Sequence, residues 1–198
     1  RGLVGSEMCI RDRAYCQVFA DFLDCIDPAG SLIVCVDDPG SHTLALYAVQ
    51  KGIRVLGYGT AAAAAQAQRD GIPMAGVLEA WEPTLDRLVA RIHLAGDDSP
   101  RELVLPVPGE HMALNALAAL IAVRDYGGDV SEALEALTHF GGVNRRFQYH
   151  GHVGGIRVYD DYAHHPTEAR AVLTAAREVA DADAQGLGHP GRVIVCFQ

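Results

Sequence analysis

The 198-residue sequence predicts an α/β fold, a parallel sheet with helices plus a small antiparallel patch. Residues 31–58 read as strand, helix, strand, the βαβ unit that builds a parallel sheet. From Met74 to Val107 the signals are almost all strand, which adds the antiparallel patch. After Gly141-Gly142 the order restarts with a hairpin and a helix, so a domain boundary is expected near residue 142. The composition is 49% hydrophobic and 21% charged, enough apolar material for a buried core.

Residues 1–13 contain Gly5-Ser6-Glu7-Met8-Cys9-Ile10-Arg11-Asp12-Arg13, a stretch unlike the alanine-rich remainder, and are set aside as an artefactual or disordered tail. Tyr15 to Ile26 carries Val18, Phe19, Phe22, Leu23 and Ile26 at helical spacing and stops before Pro28-Ala29-Gly30. Ser31–Val36 is a continuous apolar run of the kind buried on both faces of a sheet. Asp37-Asp38-Pro39-Gly40 turns the chain, Ser41 is the expected N-cap of a helix to Lys51, and Gly52 ends it. A second strand follows from Ile53 to Tyr58, while the alanine-rich residues 60–70 fit helix or irregular structure equally well. Strands are expected over Ala75–Leu78, Leu85–Leu94 and Glu102–Val107, then helices over His111–Tyr126 and Ser131–Thr138. Phe147–Val153 and Ile156–Asp160 form a hairpin about Gly154-Gly155, followed by a helix from Thr167 to Ala180. Arg192–Gln198 reads as a buried terminal strand, and a chain that stops inside one is expected to be a fragment.

Charge and cysteine usage narrow the function. The formal net charge is −9, Lys51 is the only lysine, and no basic block exists, so nucleic acid is not an expected partner. No uncharged apolar run reaches the roughly 18 residues of a membrane span. The five cysteines form no C-x-x-C pair, a pattern suited to reduced thiols in a cytoplasmic protein.

Three segments concentrate polar groups. In Pro108-Gly109-Glu110-His111-Met112-Ala113-Leu114-Asn115, His111 and Asn115 stand four apart and share a helix face. An Asn amide offers the donor and acceptor needed to read an adenine edge, although a polar first helical turn looks the same. Asn144-Arg145-Arg146-Phe147 places guanidinium groups just past the expected boundary, where they either clamp phosphate oxygens or sit solvated. Tyr159-Asp160-Asp161-Tyr162-Ala163-His164-His165-Pro166-Thr167-Glu168 lies between a strand end and a helix start, where open α/β sheets bind ligands. With His150 and His152 nearby a metal site is conceivable, but the spacing lacks a closed ligand set and no metal residue is assigned. Neither a G-x-x-x-x-G-K-[ST] loop nor a G-x-G-x-x-G fingerprint is present.

In order, Asp-Asp-Pro-Gly after a strand, G-x-H-x-x-x-N-A-x-A-A, R-R-F and D-D-Y-A-H-H-P-T-E resemble the Mur ligase family over residues 14–198. The resemblance implies a partial central ATP-binding domain (14–142) and the start of a Rossmann-like C-terminal amino-acid-binding domain (143–198). It further implies an ATP-dependent reaction joining L-alanine to the lactoyl carboxylate of UDP-N-acetylmuramate through an acyl phosphate, in cytoplasmic peptidoglycan precursor synthesis. His111, Asn115, Arg146 and Asp161 are then expected to bind ATP, with Arg146 and Asp161 catalytic. His164 and His165 are expected to line the substrate cleft. Mg²⁺ is implied with ligands mostly outside this segment, and because the triphosphate and UDP-sugar sites are also expected outside it, the chain by itself is expected to be inactive. Met112 departs from the Asn usual after the His. Alternatives are a family member that recycles a tripeptide onto the same sugar, and a non-catalytic nucleotide- or metal-binding module. A folate-type glutamate ligase is more distant, because it leaves the paired histidines unexplained.

Overall fold

The computed structural model describes residues 16–83, 87–184 and 190–197. The tail 1–13 and the expected strand start at Leu85 lie outside the described residues. Helical residues 16–22 (α1) run into a 3-10 turn at Leu23–Cys25, after which come β1 (Ser31–Cys35), α2 (Pro39–Gln50), β2 (Arg54–Thr60) and α3 (Ala61–Arg69). There follow β3 (Met74–Pro83), β4 (Leu88–Leu94), β5 (Arg101–Leu105), α4 (Glu110–Asp125) and α5 (Val130–Thr138). The hairpin β6 (Gln148–Val153) and β7 (Ile156–Asp160) leads to α6 (Pro166–Asp183). Strands β1 to β5 form one sheet in sequence order, and β6 pairs with β7 in a second. The chain divides into two compact units, Arg1–Val77 with Leu94–Asp97, and Leu78–His93 with Asp98–Gln198.

In the first unit β1 and β2 are parallel, in register from Ser31↔Arg54 to Cys35↔Tyr58. Helix α2 starts three residues earlier than a Ser41 cap would place it. Asp38 is the N-cap, its carboxylate accepts the Ser41 amide at 2.9 Å, and Pro39 occupies the first turn where it lacks no needed donor. The alanine-rich stretch is settled as helix α3 because Ala64 and Ala67 are buried, Ala67 in the core with Val34, Val55 and Ile72. The Asp37 carboxylate ties the ends of β1 and β2 together, accepting the Thr60 amide at 2.9 Å and its hydroxyl at 2.5 Å. Gly59 is needed beside it, since a Cβ there would run into the Asp37 carboxylate and approach Val36 to 2.9 Å.

In the second unit β4 and β5 are antiparallel, with Leu88 opposite Leu105 and Ala90 opposite Leu103. Leu88, Ala90 and Ile92 alternate inward, as do Leu103 and Leu105, so period-2 burial on both strands builds one apolar face. Helix α4 covers apolar surface with Ala113, Ala116, Leu117, Leu120 and Ile121, at the i, i+3, i+4 spacing of a single stripe. Asp129 caps α5 through the amides of Ser131 (2.6 Å) and Glu132 (3.3 Å). A smaller core of Phe147, Ala175 and Val179 seats α6 against the hairpin, where Phe147 stacks on Tyr159 with centroids 4.5 Å apart. Residues 190–197 form no strand, contrary to the expectation for the terminal run. A strand needs a hydrogen-bonded neighbour, and β6 and β7 pair only with each other among the described residues. No described helix is long and apolar enough to cross a membrane.

Candidate functional site

The site is built in the second unit from the start of α4, the turn before β6 and the segment between β7 and α6. Gly109 caps α4 at φ 105° and ψ 135° without a side-chain hydrogen bond. The His111 ring folds back over it: a Cβ on Gly109 would lie 2.7 Å from Cε1, 2.9 Å from Nδ1, and 3.1 Å from the Cβ of Ala175 on α6. Only glycine leaves space for the imidazole between the two helices. Burial pushes the His111 pKa below its ordinary value; the Asp161 charge opposes this and the Arg146 charge adds to it. His111 is therefore held neutral, within electrostatic reach of both residues. Asn115 is exposed one turn further along the same face of α4.

The Arg145-Arg146-Phe147 turn has an unusual backbone. Arg145 (φ 59°) and Phe147 (φ 47°) are both left-handed, a region that costs a non-glycine residue about 1–2 kcal/mol. Hydrogen bonds from outside the turn hold it. The Arg145 amide donates to Gln148 Oε1 at 2.8 Å, the Tyr162 amide donates to the Arg145 carbonyl at 2.8 Å, and the Phe147 amide donates to Asp161 Oδ2 at 2.7 Å. The other Asp161 oxygen accepts the Ala163 amide at 2.7 Å. The two arginines differ sharply. Arg145 lies 5.0 Å over the Tyr162 ring with Nε 3.5 Å from Asp160, whereas the exposed Arg146 guanidinium has no hydrogen-bond or ion-pair partner among the described residues.

The two histidines open α6 in different ways. His164 Nδ1 lies 3.2 Å from the Tyr162 carbonyl and 3.6 Å from the Glu168 carboxylate. His165 is the N-cap: its Nδ1 accepts the Thr167 amide at 3.3 Å while the Glu168 carboxylate accepts the amides of His164 and His165. Those two amides are the main reason the Glu168 carboxyl titrates below the usual range. Glu168, three residues after the cap, is the half of this reciprocal cap that the sequence records; a histidine at the cap position gives no such signal. Gly109, Arg145, Tyr162 and Gln148 also escaped assignment, because their roles depend on partners distant in sequence or on backbone angles.

The structure thus puts His111 within electrostatic reach of Arg146 and Asp161, sets Asn115 on the same face of α4, and carries His164 and His165 on the segment that follows Asp161. No group of three or more metal-ligating side chains occurs among the described residues. Asp160 is paired with Arg145, and both Asp161 oxygens hold backbone amides, so this donor set does not fit a Mg²⁺ cage.

Residues 145–197 match the family model for the Mur ligase, glutamate ligase domain. The UDP-N-acetylmuramate–L-alanine ligase of Nocardia farcinica is 49% identical over 94% of this chain. That of Mycolicibacterium smegmatis is 48% identical, also over 94%. The chain belongs to the Mur ligase family. It spans only 38% and 36% of those two relatives. The crystal structure of the UDP-N-acetylmuramate–alanine ligase from Thermotoga maritima superposes with a TM-score of 0.51 at 30% identity, covering 71% of this chain and 34% of that one. A more divergent relative by structure, MurF from Acinetobacter baumannii, shares the family fold with a TM-score of 0.65 at 20% identity, over 85% of this chain and 33% of that one.

Proposed function

We propose that the chain is part of an ATP-dependent ligase that joins L-alanine to the lactoyl carboxylate of UDP-N-acetylmuramate in cytoplasmic peptidoglycan precursor synthesis. In this reading residues 14–142 belong to the central ATP domain and residues 143–198 to the C-terminal amino-acid domain. The carboxylate attacks the γ-phosphorus of ATP, giving an acyl phosphate and ADP. The alanine amine then attacks the acyl carbon, loses a proton, and inorganic phosphate leaves. In the whole ligase Mg²⁺ would supply charge neutralisation on the phosphates, and Asp160 and Asp161 would not be its ligands.

The observation that carries the reading is the unpaired Arg146 guanidinium, carried on a strained turn that Asp161 ties down and within electrostatic reach of His111. Phosphoryl transfer spreads negative charge over oxygens, and a positioned, unneutralised guanidinium answers that charge without first breaking an ion pair. Asn115 would read the adenine edge, with neutral His111 packing beside it. His164, exposed just before α6, would line the cleft where the incoming amino acid meets the acyl group. His165 serves the cleft by fixing the start of α6. Met112 removes one amide from the adenine side and leaves Asn115 as its reader.

The test is a graft of residues 14–198 in place of the matching segment of the Nocardia farcinica ligase. Phosphate release should require UDP-N-acetylmuramate and L-alanine together, and Arg146→Ala should lower it by about 100-fold, the usual cost of losing one group that stabilises transition-state charge. The ungrafted chain should show no turnover. A folded graft without alanine-dependent phosphate release, or one that accepts only a preformed tripeptide, overturns the assignment.

A further inference from the structure

We infer that Asp161 is a positioning residue, contributing to the reaction mainly by clamping the turn that presents Arg146. The inference rests on the ligase reading above and names how one of its residues acts. Asp161 Oδ2 accepts the amide of Phe147, a residue at φ 47°, and Oδ1 accepts the amide of Ala163, both at 2.7 Å. One carboxylate therefore joins the Arg145–Phe147 turn to the segment that carries His164 and His165, fourteen residues further on. Arg146 stands between two left-handed residues, and nothing else among the described residues bonds its side chain. The backbone of the turn therefore fixes the point from which its side chain departs. The turn keeps its shape through the bonds to Gln148, Tyr162 and Asp161. Of these three, only the Asp161 bond is charge-assisted, and it falls on the residue immediately after Arg146.

The carboxylate keeps lone pairs free, so direct contact with a nucleotide ribose is the competing way for Asp161 to act. The two differ in what they couple to. Action through Arg146 predicts that the effects of Asp161→Ala and Arg146→Ala do not add, because the second removes what the first disorders. Action through the ribose predicts full additivity, and an Asp161→Ala defect that disappears when the hydroxyl it touches is absent.

The experiment measures kcat and KM for ATP, 2′-deoxy-ATP and 3′-deoxy-ATP in the grafted ligase, its two single variants and the double variant. Asp161→Ala should cost about 100-fold in kcat/KM, close to Arg146→Ala, and the double variant should be no more than about 3-fold worse than either. The loss should fall in kcat and be the same for all three nucleotides. Asp161→Asn, which keeps one acceptor oxygen, should recover part of the rate and carries the same cycle if the alanine variant does not fold. Additive losses, or a defect that vanishes with either deoxynucleotide, overturn the inference while leaving the ligase reading in place. An inactive wild-type graft overturns the ligase reading instead.

Discussion

Replacing Gly109 by alanine strikes the packing that brings α4, His111 and α6 together. The native φ of 105° with ψ 135° lies where a residue bearing a Cβ is strained by about 1–3 kcal/mol. The added methyl would also sit 2.7 Å from Cε1 of His111 and 3.1 Å from Cβ of Ala175, inside van der Waals contact. The ring must rotate or α6 must retreat, and overpacking of this kind costs a further 1–3 kcal/mol or so. Taking about 3 kcal/mol in total, and about 2–4 °C of melting temperature per kcal/mol at this chain length, the variant should melt about 6–12 °C lower. Differential scanning calorimetry of the 198-residue chain measures this directly. Gly109→Ala combined with His111→Ala separates the contributions, because removing the ring relieves the collision and leaves the backbone strain. The double variant should regain about half of the loss once the cavity left by the ring is allowed for. A Gly109→Ala protein melting within about 1 °C of wild type would refute the packing described at the start of α4.

Two further outcomes are expected. The His111 pKa is depressed in the folded chain, so fewer protons bind there than in the unfolded chain; its contribution to stability is complete above the ordinary value of 6.5 and is lost as pH falls from there through the lower folded value. Urea denaturation between pH 7.5 and pH 5 should therefore show a smaller loss of stability in His111→Gln than in wild type, and equal or greater loss would contradict the buried neutral imidazole. Burial raises the Cys35 thiol to about 11, a hydrogen bond with the Asp37 backbone opposing the rise and the Asp37 charge adding to it, which leaves about 100-fold less thiolate than an ordinary cysteine near neutral pH. Iodoacetamide followed by peptide mass mapping should label the exposed Cys16, Cys25 and Cys196 well before Cys35, and equal labelling would count against the buried setting of β1.

The site was legible in part. His111 and Asn115 on one helix face, and Asp-Asp followed by two histidines before a helix, are local patterns, and local spacing is what a sequence records. The engagement of Asp161 by the amides of Phe147 and Ala163 was not legible, since it depends on a turn fourteen residues away and on two positive φ angles at residues that do not announce them. The two arginines look interchangeable as neighbours in a chain. Only the fold pairs Arg145 with Asp160 and Tyr162 and leaves Arg146 without such a partner among the described residues.

Apolar runs and turn residues determined that residues 31–58 form a βαβ unit, that a helix follows Gly109, and that β6 and β7 form a hairpin about Gly154-Gly155, because such signals act locally along the chain. Tertiary structure alone decided the state of the alanine-rich stretch, which became α3 once Ala67 met Val34, Val55 and Ile72, and of the terminal apolar run, which forms no strand. Alanine carries no periodic signal strong enough to choose, and a strand exists only when another strand satisfies its amides and carbonyls. Both outcomes depend on what lies alongside in space, a quantity no single stretch of residues contains.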